Sequence, residues 1–439
     1  MKAAVLGGGL TGLQLCRRLR AKGVDCVVLE SRDVVGGLCR SLRRGAYSWD
    51  LGPHAFYSRE PAAMDFYREL PVEYHERQRR VRVAHREPGG GIRELHYPFE
   101  NGLADLPFGH KMECVLGYLR AALCGDRNYR NLEHWIANGL GAGIARHFMT
   151  PYNEKIWDCP LDRISMALVR GKIEPEPAWK ILRNGFVRGT VGRTYQANFL
   201  YPRAGGAGAL PEAVAAEIRP HIRTGWPVRE LRRSGGGWKV RGAGGEVAAD
   251  IVVSTIPIPE LLGALADQDL SGQAGSFLCN DTYFAVVGLK AGRTFARCGG
   301  NHWTFFAGPE AFYRLTMMQP LDPDRPPTVV AEITRRRGAP GLTEGAVTAQ
   351  VLRGLSETGI LAAESDVELA AAHLERCTYP IQTLGLPEAV AGLERRLEEQ
   401  GLYLLGRSGR WDYLNTDGVF LAVDRFLRET WPRAAERAC

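Results

Sequence analysis

Lys2-Ala3-Ala4-Val5-Leu6-Gly7-Gly8-Gly9-Leu10-Thr11-Gly12 is the stretch on which the reading of this chain turns. The residues before the glycines read as a short buried strand, and Leu10, Leu13 and Leu19 after them keep helical apolar spacing. A second strand, Cys26-Val27-Val28-Leu29, ends on Glu30, and Gly36-Gly37 follows shortly after. In a βαβ unit of this kind Gly7 permits the tight turn, and Gly9 lets backbone approach a pyrophosphate. Gly12 lets the helix pack closely on the strand. The helix N-terminus offers free N–H groups and the positive end of its dipole to phosphates. Glu30 can accept hydrogen bonds from a ribose diol. Glycine makes up 52 of the 439 residues, so spacing alone is weak. The order of strand, glycines, helix, strand and acid predicts a dinucleotide site.

A second glycine pair after the ribose acid suits backbone packing along a longer cofactor, and it favours FAD over NAD. Cofactor contacts are expected at Gly7, Gly9, Leu10, Thr11, Gly12, Glu30, Gly36, Gly37 and Leu38. Tyr201-Pro202-Arg203-Ala204-Gly205-Gly206 leads into another helix, and Gly205 and Gly206 are expected to bring backbone close to the cofactor. Gly52-Pro53-His54 puts a rigid turn and a histidine at a strand end. Arg407 and Asp417 lie in a closing Gly-Arg…Asp-Gly segment. Asp417 can cap the last helix, read from about Val419 to Glu429.

Hydrophobic residues make up 45% of the chain and charged residues 24%, as in an ordinary globular protein. The net charge of +7 is modest, fits anionic ligands, and comes without the basic, aromatic-interleaved runs of a nucleic-acid surface. Ten cysteines are scattered with no C-x-x-C pair, so no metal site or dithiol motif is indicated. No apolar run of about 18 residues is long enough for a bilayer span. The first strand begins at once, and the expectation is a cytoplasmic enzyme without a signal peptide.

The fold class expected is α/β, a Rossmann-like FAD-binding domain with two further parts. Residues 1–60, 190–260 and 400–439 would form that discontinuous domain, including a β-meander over residues 228–249. Residues 61–189 would be a mainly helical substrate-binding insertion. Residues 261–399 would be an antiparallel-sheet substrate domain, with helices near Glu344–Thr358, Ser365–Ala372 and Pro387–Glu399.

Taken together, these features resemble the flavoprotein superfamily that includes the amine oxidases, protoporphyrinogen oxidase and UDP-galactopyranose mutase. Five segments resemble the UDP-galactopyranose mutases, the eukaryotic type in particular. They are Gly52-Pro53-His54 with Phe56, Tyr152-Asn153-Glu154-Lys155-Ile156-Trp157, and Phe312-Tyr313-Arg314-Leu315-Thr316. The other two are Tyr379-Pro380, and Gly406-Arg407 with Trp411, Tyr413 and Asn415-x-Asp417. The resemblance implies that His54 shapes the face of the flavin ring. It implies that Arg314, Tyr379 and Tyr413 meet a pyrophosphate, with Tyr413 and Asn415 facing the sugar. Tyr152, Asn153, Trp157 and Tyr313 would line the nucleotide pocket. Where that family carries a second pyrophosphate arginine, this chain has Lys172, which supplies charge without a fork.

The resemblance implies a flavin-dependent isomerase of furanose biosynthesis. It would interconvert pyranose and furanose forms of a UDP-galactose-like nucleotide sugar, with N5 of reduced FAD as nucleophile at the anomeric carbon. NAD(P)H is one candidate reductant of the flavin. The rival expectation is an oxidase or dehydrogenase of the protoporphyrinogen or amine oxidase kind. A non-catalytic flavin or nucleotide sensor is a third.

Overall fold

The strand Lys2–Leu6, buried from Ala3 onward, is the middle of a five-stranded parallel sheet. This computed structural model describes residues 1–87, 91–169, 176–187 and 198–438. The sheet order is Leu402–Leu404, Ile251–Ser254, Lys2–Leu6, Asp25–Leu29, Ile222–Arg223. Apolar clusters cover both faces, which is why its strands are apolar runs and not alternations. The helix Leu10–Ala21 starts from Gly9. A Cβ at Gly12 would run into the Gly7 carbonyl oxygen, so glycine alone lets the helix begin this close to the strand. Gly9 and Gly36 are bridged, which brings the second glycine pair against the first. The expected meander is present as Val228–Ser234, Gly237–Gly242 and Gly245–Ala249.

The second large sheet has seven strands. Their order is Val367–Pro380, Cys279–Leu289, Thr328–Arg336, Arg314–Met317, Trp303–Phe306, Val81–Arg86, Ile92–His96. Its register sets one row of residues across the sheet: His373, Phe284, Glu332, Arg314, Phe305, Val83. Directly paired residues share a face, so this row is fixed by pairing and needs no loop to assemble it.

Three expectations need adjusting. The insertion 61–189 is mainly helical over its described residues but not all helix, because it also contains the strands Tyr74–Gln78, Val81–Arg86 and Ile92–His96. Two of these join the seven-stranded sheet, where pairing partners far along the chain outweigh local pattern. Residues 365–372 are not a helix either. Apart from a short helical turn at Glu364–Asp366, they belong to the strand Val367–Pro380. The alanines at 370–372 favour a helix in isolation, but Ala370, Ala371 and Ala372 pair with Val287, Val286 and Ala285. The last helix begins at Thr416, earlier than expected, and its N-cap is Asn415. Asp417 does not cap it; its Oδ2 accepts from Ser58 Oγ at 2.8 Å.

Candidate active site

A cavity of about 870 Å³ runs from the carboxyl ends of the parallel strands to the face of the seven-stranded sheet. At its first end it is lined by Gly7, Gly9, Leu10, Thr11, Glu30, Gly36, Gly37 and Leu38. The first turn of the helix Leu10–Ala21 has no capping side chain and no acid, so its N–H groups are available to an anion. Glu30 is fixed at the strand tip: Oε2 accepts from Gly8 N at 2.6 Å and Oε1 from Arg32 N at 2.8 Å. Beside them Glu375 receives Arg40 Nη2 at 2.6 Å and is also bonded by Arg32. Burial disfavours the Glu375 charge, but His373, Arg40 and Arg32 outweigh it and hold the carboxyl below its ordinary range.

Midway along the cavity are His54, Asn415, Asp417 and Arg407. Burial pushes the His54 imidazole below its ordinary value, so it is neutral at pH 7, and its Nδ1 is buried without a hydrogen-bond partner. Arg407 donates to the carbonyls of Leu414 at 2.9 Å and Thr378 at 3.3 Å. Its guanidinium lies 4.4 Å from the Tyr413 ring centre and 5.3 Å from that of Tyr379. The two tyrosine rings stack at 6.0 Å.

The far end holds Arg314, Tyr379, Tyr413, Phe284, Phe305 and Trp303. Arg314 is 7% exposed and Glu332, its partner on the next strand, 0%. Arg314 Nε donates to Glu332 Oε1 at 2.7 Å, and Nη2 to Oε2 at 2.5 Å and to Tyr379 OH at 3.0 Å. Burial works against the guanidinium charge, but Glu332 and the two tyrosines outweigh it and raise its pKa further. A guanidinium between tyrosine hydroxyls, in a water-poor aromatic recess, is suited to phosphate oxygens.

Several expected residues lie elsewhere. Tyr152, Asn153, Trp157 and Tyr313 do not line the cavity but stand behind its wall. Trp157 Nε1 donates to Asn153 Oδ1 at 3.0 Å, and its ring meets Tyr379 and Tyr413 edge-on at 5.8 and 6.2 Å. Tyr152 stacks on Phe148 at 5.0 Å. Tyr313 OH donates to Glu332 Oε2 at 2.7 Å. Gly205 and Gly206 do not touch the cavity; their turn packs on Ser41 and Asp50. Gly12 is not among the residues lining the cavity and its Cα packs against the Gly7 carbonyl, and Lys172 falls outside the described residues. Sequence reading missed Glu332, Phe284, Phe305, Trp303, Arg79 and Glu375. Most of these show themselves only as alternate positions on strands, which the register assigns to one face.

Residues 10–274 match the family described as flavin-containing amine oxidoreductases. The chain belongs to that family. The uncapped helix start, the paired glycine turns and the fixed Glu30 carboxylate fit FAD. The fold is shared with a reduced UDP-galactopyranose mutase of known structure: TM-score 0.89, 23% identity, 99% of this chain and 97% of that one. Two curated relatives by sequence carry oxidase names. The chloroplastic protoporphyrinogen oxidase of Nicotiana tabacum is 22% identical over 53% of this chain and 46% of its own length. The coproporphyrinogen III oxidase of Propionibacterium freudenreichii subsp. freudenreichii is 30% identical over 38% of this chain and 33% of its own. The chain thus spans less than half the length of these two relatives. Among the described residues no helix is long and apolar enough to cross a membrane, and no group of side chains is arranged to hold a metal ion.

Proposed function

We propose that this flavoprotein is a nucleotide-sugar mutase, interconverting pyranose and furanose forms of a UDP-galactose-like substrate. The observation that carries the reading is the convergence of Arg314, Tyr379 and Tyr413 on one end of the cavity whose other end fits FAD. FAD, when bound and reduced, supplies through its N5 the nucleophile for the anomeric carbon. The remaining work falls to the chain. Arg314 and the tyrosine hydroxyls hydrogen-bond the diphosphate as it leaves and hold it for re-attack. Phe284, Phe305 and Trp303 keep water from that end, which strengthens each polar contact there. Neutral His54 lines the cavity between the two ends without adding charge there. Asn415 gives an amide for sugar hydroxyls. Lys172 is a proposed further contact for the diphosphate, and NAD(P)H is a proposed source of reducing equivalents.

A second reading is favoured by the oxidase names of the relatives by sequence: net oxidation of an organic substrate by the same flavin. The two differ in electron accounting. A mutase needs reduced flavin but consumes no reductant per turnover, whereas an oxidase passes electrons to an acceptor every cycle. Anaerobic incubation of the dithionite-reduced protein with nucleotide sugars separates them: ring-form conversion supports the mutase, and flavin reduction by a porphyrinogen or amine supports the oxidase.

A further inference from the structure

Glu332 is a charged group at the substrate end that the proposed chemistry does not use. It stands between Phe284 and Arg314 in the row across the sheet and is fully buried. Its carboxylate accepts Arg314 Nε at 2.7 Å, Arg314 Nη2 at 2.5 Å and Tyr313 OH at 2.7 Å. Two arms of the guanidinium are therefore committed, and the Arg314–Glu332 pair is formally neutral. An anion reaching this end of the cavity meets a directed hydrogen-bond donor whose charge is already compensated. Arg314 also cannot swing away to follow a ligand. Doing so would strand Glu332 in the interior with Tyr313 OH alone, and breaking half of a buried pair is strongly destabilising.

We propose that Glu332 is a positioning and charge-compensating residue: it aims the Nη1 edge of Arg314 at the cavity and limits the hold of that arginine on an anionic leaving group. The inference rests on the reading of the site as one for a nucleotide diphosphate. A leaving group that must depart and then re-attack is poorly served by a full uncompensated charge. The expected signature is an opposed pair of changes on removing the carboxylate, tighter binding with slower turnover.

The test uses the FAD-loaded full chain as wild type, Glu332→Gln and Glu332→Asp. Each is titrated with UDP and, separately, with inorganic pyrophosphate at low and high salt, and turnover is measured with a nucleotide sugar. Glu332→Gln is expected to bind both anions on the order of tenfold tighter, with a steeper salt dependence, because one buried negative charge is gone. Its kcat falls while KM falls too, a split that a merely structural role would not produce. Glu332→Asp keeps the charge but shortens the reach, so its kcat falls with no gain in affinity. Unchanged or weaker anion binding by a flavin-replete Glu332→Gln overturns the proposal. Should that variant fail to fold, a gain in affinity in Glu332→Asp overturns it instead. If pyrophosphate shows the gain but no UDP or nucleotide sugar binds to wild type, the functional reading fails and the role of Glu332 stands.

Discussion

Arg314 and Glu332 face each other on neighbouring antiparallel strands and share two hydrogen bonds, at 2.7 and 2.5 Å, in a site that solvent barely reaches. Such a fork-to-carboxylate pair fixes the arginine in both position and plane. Removing one partner leaves the other as a buried charge, so Arg314→Ala is expected to lower folding stability by about 3–5 kcal/mol. FAD content is retained and UDP binding is weakened. The double change Arg314→Met with Glu332→Gln recovers most of the stability and none of the binding. Urea denaturation and ligand titration check both halves, and a single variant as stable as wild type would show that the pair is not structural.

Gly12→Ala attacks the other end of the cavity. The new Cβ would occupy the space of the Gly7 carbonyl oxygen and lie 3.1 Å from Val5 Cγ1. The helix start must then retreat from the strand, taking its first N–H groups away from the cofactor. Purified Gly12→Ala is expected to lack flavin absorbance, and a normal flavin-to-protein ratio would contradict this.

Gly206→Ala tests a corrected expectation. Gly206 has φ of +65°, and a Cβ there would lie 2.6 Å from Asp50 Oδ1. Backbone strain and crowding of that order cost about 1–3 kcal/mol. The turn does not line the cavity, so the flavin dissociation constant should stay within about twofold once the variant is folded, a change of under 0.5 kcal/mol. Loss of flavin affinity without loss of stability would restore Gly206 as a cofactor contact.

Acid sensitivity follows from buried histidines. Burial first, then His110 and His147, lowers His85 to about 4, and burial with Arg80 lowers His302 to about 4. In the unfolded chain each titrates near 6.5. Between those values the unfolded state binds more protons, so stability is full above pH 6.5 and falls as pH drops toward 4. Each histidine contributes up to about 3 kcal/mol of that loss. The urea midpoint should fall between pH 7.5 and 5, and His85→Gln should flatten the slope. An unchanged midpoint over that interval would contradict the assignment.

The nucleotide-binding half was legible because its signals are local. Gly7, Gly9, Gly12 and Glu30 sit within a single βαβ unit, and each residue type is required by geometry a few residues away. The substrate end was legible only in part. Arg314, Tyr379 and Tyr413 were found through resemblance, and the cavity does join them. Tyr152 and Trp157 were expected to line the nucleotide pocket, yet they pack behind the tyrosines, a distinction that aromatic residues on a helix do not reveal in sequence. Glu332 was not found at all. Within Thr328-Val329-Val330-Ala331-Glu332-Ile333-Thr334 it is one acid in a buried run. Only its register against Arg314 and Phe284 gives it meaning. The strand Val367–Pro380 was misread at its start for the same reason, since its alanines acquire strand character only from their partners.

The central claim is that the flavin held by the glycine turns acts on a sugar positioned by Arg314, Tyr379 and Tyr413. The most direct measurement is chromatographic separation of ring forms after the reduced, FAD-loaded protein meets UDP-galactofuranose under anaerobic conditions. The prediction is catalytic conversion to the pyranose form, with the flavin still reduced at the end and no net reductant consumed. Absence of conversion with this and related nucleotide sugars, alongside flavin reduction by a porphyrinogen or an amine, would contradict it.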